Sequence, residues 1–218
     1  MLAELLDFFF PKSCLFCDTQ GKFICERCKK TKIVFYNEHN CHVCKKPCEE
    51  SFVHEQCKSQ TNLAGVFIAA HYNNAVKLVI EELKYNFCFS IAVEIGVMMK
   101  ALLEKESLAY EALIPVPLHK FKRNYRGFNQ AELIARAIGQ SVDDCLVRTK
   151  NTKTQVNLNR EERIVNLKEV FRVKGKINYK SVILVDDIMT TGTTLEECAL
   201  VLKLQGVEKV YALVFARD

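Results

Sequence analysis

From residue 61 onward, hydrophobic positions switch repeatedly between a period of two and a period of about 3.6, and the switches outline an α/β domain. GVFIAAHY (65–72) reads as a strand. AVKLVIEELKY follows, with Ala75, Val76, Val79, Ile80 and Leu83 on one helical face. A second helix is expected over residues 89–105, and these elements are expected to precede the sheet and cap it. YEALIPVP (110–117) is a buried strand ended by Pro115 and Pro117. The basic turn LHKFKRNYRGFNQ then leads into the helix NQAELIARAIG, with Leu133, Ile134, Ala137 and Ile138 on one side and Asn129 as its cap. Cys145 to Thr149 is a short strand. The stretch after it, KNTKTQVNLNREERIVNLKEVFRV, is polar and weakly periodic, as expected of a functional or disordered insertion. The apolar run VILV (182–185), the helical TLEECALVLKL, Gly206 as its C-cap and the strand KVYALVFAR complete the chain. Strands alternating with helices predict a parallel, doubly wound, Rossmann-like sheet flanked by helices, with ligands beyond the carboxyl ends of the strands.

Residues 1–60 have a different texture, which divides the chain into a Cys-rich module (1–60) and an α/β domain (61–218). MLAELLDFFF predicts a short amphipathic helix stopped at Pro11. Glu4 and Asp7, the lack of a basic leading region and the short length argue against a signal peptide or a membrane span. IAVEIGVMMKALL, interrupted by Glu94 and Lys100, is a buried helix by the same reasoning. With 218 residues and 49% apolar content there is enough material for a real core. A soluble, cytoplasmic protein is expected, and there paired cysteines mean metal.

Eight residues fall into four C-x-x-C-type knuckles within 44 residues: Cys14 and Cys17, Cys25 and Cys28, Cys41 and Cys44, His54 and Cys57. Each tight turn directs two ligands onto one ion, and two turns complete a tetrahedral zinc site. The simplest assignment places the first four residues on one zinc and the last four on a second. An interleaved pairing of the first and third knuckles meets the same spacing, and Cys48 competes with His54 for the fourth position. Four protein ligands leave no open coordination position, so the zinc is expected to be structural. His39 and His42 read as solvated loop residues, and Cys88, Cys145 and Cys198 as small core residues.

The net charge of +5 is unevenly spread: residues 119–176 carry 14 Lys or Arg against 6 Asp or Glu, and residues 1–60 carry 9 against 8. The basic surplus accompanies the most chemically specific stretch, VILVDDIMTTGTT (182–194). A strand, the acid pair Asp186 and Asp187, and a turn of Thr190, Thr191, Gly192, Thr193 and Thr194 at a helix start describe an anion site. The helix N–H groups and hydroxyls suit a phosphate, and Gly192 permits close approach. Carboxylates beside a phosphate repel it unless they take hydroxyls or a metal, so a sugar phosphate satisfies both halves. A Walker P-loop is excluded because no Gly-Lys-Ser/Thr follows.

This motif resembles the PRPP-binding signature of type I phosphoribosyltransferases, in which the acids hold the ribose hydroxyls and the turn holds the 5′-phosphate. LLDFFFPKSC, the knuckles, ELKY (82–85), VPLHKFKRNYRGFNQAE, RTKNTKTQVNLNREERIVN and VILVDDIMTTGTT, in that order, resemble the ComF family of competence proteins. That family joins a double zinc-ribbon module to a phosphoribosyltransferase-like domain; His54 departs from its usual Cys. The resemblance implies natural transformation, single-stranded DNA, and the DNA-uptake and helicase machinery as partners. It also marks Arg126, Asn129 and Gln130, and Thr154, Gln155, Arg163 and Asn166, as motif positions. On chemical grounds Lys120 and Arg126 suit pyrophosphate, with Mg²⁺ bridging the remaining oxygens. Arg163 is placed to close over a ligand. Arg148, Lys150, Lys153, Arg160 and Arg163 contact DNA or simply solvate a loop, and His71 and His119 are structural.

Two functions follow as expectations. The first is a PRPP-binding competence protein that handles incoming single-stranded DNA. The second is an active phosphoribosyltransferase acting on a base or other acceptor.

Overall fold

A computed structural model of the chain describes residues 12–48, 52–86, 88–139, 141–149 and 170–218. The expected helix at 1–10 and most of the polar insertion, with Lys150, Lys153, Thr154, Gln155, Arg160, Arg163 and Asn166, lie outside the described residues.

The expected sheet has four strands, all parallel, in the order β1, β6, β5, β2. These are β1 (Gly65–His71), β2 (Ala112–Pro115), β5 (Ser181–Met189) and β6 (Lys209–Arg217). Strand side chains alternate between faces. Phe67, Leu113, Ile183, Val185, Leu213 and Phe215 face one core, and Val66, Ile114, Val182, Leu184, Ala212 and Val214 face the other. Helices α2 (Asn74–Tyr85), α3 (Ser90–Glu106) and α5 (Gln130–Ile138) cover the first face. Helix α6 (Thr193–Lys203) covers the second. The chain therefore leaves β2 toward one face and β5 toward the other, and adjacent strands that diverge in this way open a crevice at their carboxyl ends.

Several expectations needed correction. β1 does not precede the sheet; it is an edge strand of it, running parallel to β6 from Gly65 opposite Tyr211 to His71 opposite Arg217. The basic turn contains a seven-residue helix, α4 (Lys120–Arg126), capped by His119 and by Gly127 at φ +79°. Strands β3 (Leu146–Arg148) and β4 (Phe171–Val173) form a separate antiparallel ribbon, so the end of the polar stretch is structured. On α5 the fully buried alanines are Ala131 and Ala135, whereas Ala137 meets α3. Helix α6 has Leu204 as its C-cap, and Gly206 turns the chain two residues later at φ +97°.

Helices α3 and α5 approach closely at Gly96, where an added Cβ would lie 2.5 Å from Ala137 Cβ and 3.2 Å from Ile134 O. Gly96→Ala gains helix propensity of about 1 kcal/mol but must push two helices apart. We expect a net loss of about 1–2 kcal/mol, measured as a shift of the denaturation midpoint.

The Cys-rich module packs against the domain along one edge. Its own helix, α1 (Glu26–Lys32), is capped by Cys25. Beyond it, Val34 to Tyr36 runs antiparallel to the outer edge of β1, with Tyr36 N donating to Ala69 O at 3.0 Å and His71 N to Val34 O at 2.9 Å. This covers a strand edge that would otherwise be open to pairing with other chains. Among the described residues no helix is long and apolar enough to cross a membrane.

Candidate functional site

β2 pairs with β5 only as far as Pro115 opposite Val185, since the two prolines end the strand. β5 itself runs four residues further beside β6, through both acids to Met189. The acids thus lie inside the strand and not at its end, and beyond Val185 the β2 side of the strand is bare. A pocket of about 260 Å³ opens there, lined by Asp186 and by Thr190, Thr191, Gly192, Thr193 and Thr194. Gly192 is the N-cap of α6 at φ +80° and offers no side-chain cap to the first N–H groups of the helix. An anion placed in the turn would meet those groups and the Thr hydroxyls.

Consecutive strand residues point to opposite faces, so the two acids meet different partners, although Asp186 Oδ1 still accepts from Asp187 N at 2.9 Å. Asp186 faces the pocket. Burial first, and then the charge of Asp187, push its carboxyl well above the usual range. Asp187 is 3% exposed and turns toward α2 and α5. There Gln130 Nε2 donates to its Oδ1 at 2.8 Å, and Lys84 forms an ion pair with its Oδ2. Arg126 donates to Gln130 Oε1 at 2.6 Å and lies over the Tyr85 ring at 5.5 Å. Asn129, also buried, caps α5 through Ala131 N and donates to Val116 O at 3.0 Å. Arg126 and Gln130 of the RGFNQ stretch therefore form a bonded chain that ends on Asp187. Lys120 is exposed on α4, and Arg148 lies over Phe171 at 5.3 Å.

Lys84 was not singled out from sequence. Its signal is its register: Val76, Ile80 and Lys84 are four apart, so the apolar stripe of α2 ends on a cation that needs a buried partner.

In the amino-terminal module the ligand atoms of Cys14, Cys17, Cys25 and Cys28 lie within 4.8 Å of one another, as do those of Cys41, Cys44, His54 and Cys57. A tetrahedral zinc with four thiolates spaces its sulfurs about 3.8 Å apart, and Cys17 and Cys25 are 3.7 Å apart. In the second group His54 turns Nδ1 toward Cys44 at 3.2 Å and Nε2 toward Pro47 O at 3.1 Å. A ligating imidazole anchored through its other nitrogen has this arrangement. Cys48 instead donates to Phe52 O at 2.9 Å. The two knuckles repeat one geometry 27 residues apart: Asp18 N bonds Cys14 O and Lys45 N bonds Cys41 O, each at positive φ.

Two carboxylates bind this module to the domain. Glu94 of α3 accepts from Phe23 N at 2.9 Å and Ile24 N at 2.8 Å. Glu196, in the first turn of α6, accepts from Asn62 N at 2.7 Å, from Thr61 Oγ1, and from His42 Nε2 at 3.3 Å. Burial alone would raise the Glu196 carboxyl, but these hydrogen bonds outweigh it and lower its pKa. His42 is therefore a buried bridging residue, not a solvated one. Its neighbours in sequence give no sign of a partner 154 residues away.

Two family models match the chain: the double zinc ribbon domain over residues 5–58 and the phosphoribosyl transferase domain over residues 124–218. The ribbon match and the two ligand groups together support structural zinc. Among similar proteins, competence protein F of Haemophilus influenzae is 31% identical over 173 residues, covering 73% of this chain and 76% of that one. The DNA utilization protein YhgH of Escherichia coli O157:H7 is 28% identical over 158 residues, covering 68% and 70%. Competence protein ComFC of Bacillus subtilis is 26% identical over 223 residues, covering 88% and 89%. With its ribbon, its transferase-type sheet and these relatives, the chain belongs to the competence protein F family.

Proposed function

We propose that this chain is a PRPP-binding, phosphoribosyltransferase-like competence protein that handles incoming single-stranded DNA in the cytoplasm, beside the DNA-uptake and helicase machinery. The observation that carries the reading is the pocket in which Asp186 faces an uncapped helix start and a turn of threonines at the sheet's switch point. The turn takes the 5′-phosphate and Asp186 takes the ribose hydroxyls. Asp187, held by Lys84 and Gln130, fixes the strand beneath them. Lys120 and Arg126 serve the pyrophosphate, where bound Mg²⁺ would neutralise the remaining charge. The names of the relatives, competence and DNA utilization, support the DNA half. The two tetrads hold structural zinc, one ion each. Titration calorimetry with PRPP should show binding that depends on Mg²⁺. A labelled oligo(dT) should bind with little sequence preference and weaken steeply with salt. Absence of both at low salt sinks the proposal.

The match to a phosphoribosyl transferase domain favours a second reading, transfer of ribose 5-phosphate to an acceptor. Release of pyrophosphate with any base in an acceptor screen would establish it, whereas PRPP binding alone fits both.

A further inference from the structure

We infer that the outward face of α4 is a stacking platform for single-stranded nucleic acid, with Phe121 and Tyr125 taking bases and Lys122 and Arg123 meeting phosphates. This rests on the strand-handling reading above and assigns it a surface. None of the seven residues of α4 is buried. Tyr125, 81% exposed, and Phe121, 72% exposed, are the two most exposed large hydrophobic side chains among the described residues. Four positions apart on a helix, they share a face.

Seven residues do not make a stable helix alone, and α4 is fixed from its ends. His119 Nδ1 accepts from Phe121 N at 3.2 Å, and Gly127 N donates to Arg123 O at 2.7 Å. A helix capped at both ends that has no fully buried residue and presents two aromatic rings to water is organised for something that covers it.

Charge identifies the occupant. α4 itself has no acidic residue; Arg123 pairs with Glu132 at 3.4 Å and Asp144 at 3.8 Å and Arg126 bonds Gln130, while Lys120 and Lys122 are exposed, so the surface stays positive and an anionic partner is complementary. Aromatic rings set among cations suit a chain with a phosphate at every unit and a flat base between phosphates. Duplex DNA hides its base faces and leaves such rings unused. The position agrees as well: α4 starts just past the carboxyl end of β2, and Arg126 at its far end bonds Gln130, the partner of Asp187.

The test uses the full chain and oligo(dT). The protein contains no Trp, so Phe121→Trp introduces a single reporter, whose emission should be quenched on binding. Phe121→Ala with Tyr125→Ala should weaken oligo(dT) binding about 10–100-fold and leave PRPP affinity and thermal stability unchanged. Phe121→Leu with Tyr125→Leu keeps apolar area without the rings and should lose nearly as much. Lys122→Ala should reduce the salt dependence by about one counterion. If the unmodified protein fails to bind oligo(dT) at low salt, the strand-handling reading falls and the platform with it. If it binds and the double Ala variant binds equally well, the platform alone is overturned. Full binding by the double Leu variant, or capture by anionic vesicles that oligo(dT) does not compete away, also overturns it, because the face would then be a generic apolar contact.

Discussion

Exchanging Asp186 for Asn should cost at least about 100-fold in PRPP affinity, while the ligand-free protein becomes more stable. The affinity loss follows from the role proposed for Asp186, in which its carboxylate accepts the ribose hydroxyls: an amide presents one acceptor and one donor in its place, and charged hydrogen bonds are about twice as strong as neutral ones. The stability gain follows from the raised pKa of Asp186, caused by burial and by the adjacent charge of Asp187. A group whose folded-state pKa lies above its unfolded value opposes folding when ionised. Stability of the unmodified protein should therefore rise as pH falls through that raised pKa toward the unfolded value, and Asn should remove this dependence. The neighbouring substitution should behave oppositely. Asp187→Asn leaves Lys84, whose side chain is only 18% exposed, without its counter-charge, at a cost of about 3 kcal/mol. Thermal melts of both variants between pH 5 and 8, beside calorimetry with PRPP, check the pair. Equal stability changes would refute the division of roles between the two acids.

Removing zinc should unfold the amino-terminal module. Structural zinc contributes about 10–16 kcal/mol in small ribbons and fingers, as much as the stability of a whole domain, and among the described residues only Cys41, Val53 and Cys57 are buried in the small core around the second group. Elemental analysis should give two zinc ions per chain, and Cys14→Ser or Cys41→Ser should each leave one. The double variant Cys14→Ser with Cys41→Ser should then hold no zinc, whereas an interleaved arrangement, in which both residues share one ion, would still leave one. On chelation, amide exchange should accelerate along β1, whose outer edge is covered by Val34 to Tyr36.

Much of this molecule was legible in the sequence because its periodicities are clean. The stripe of α2, the Asn129 cap and the run of β6 appear where their patterns place them. What was illegible depends on pairings between distant parts of the chain. β1 looked like a prelude, since nothing local states that an apolar run will pair with a strand more than 140 residues later. α4 looked like a loop, since it lacks the apolar face that announces most helices. Within the site, the phosphate turn is a local motif and could be read directly. The opposite facing of Asp186 and Asp187 is also local, a consequence of strand alternation once the strand is known to continue to Met189. Only the sheet partner β6 makes that continuation visible. The fastening of His42, Thr61 and Asn62 on Glu196 has no local signature at all.

The fastening also limits what evolution or a designer could exchange. A zinc ribbon is often treated as a bead that can be moved from one chain to another. Here a transplanted ribbon would have to bring a tripeptide of the right register to close the β1 edge. It would also need paired N–H donors for Glu94 and an imidazole placed as His42 is, to reach Glu196 in the first turn of α6. A ribbon lacking these would leave Glu94 without its donors and a strand edge open to pairing with another copy.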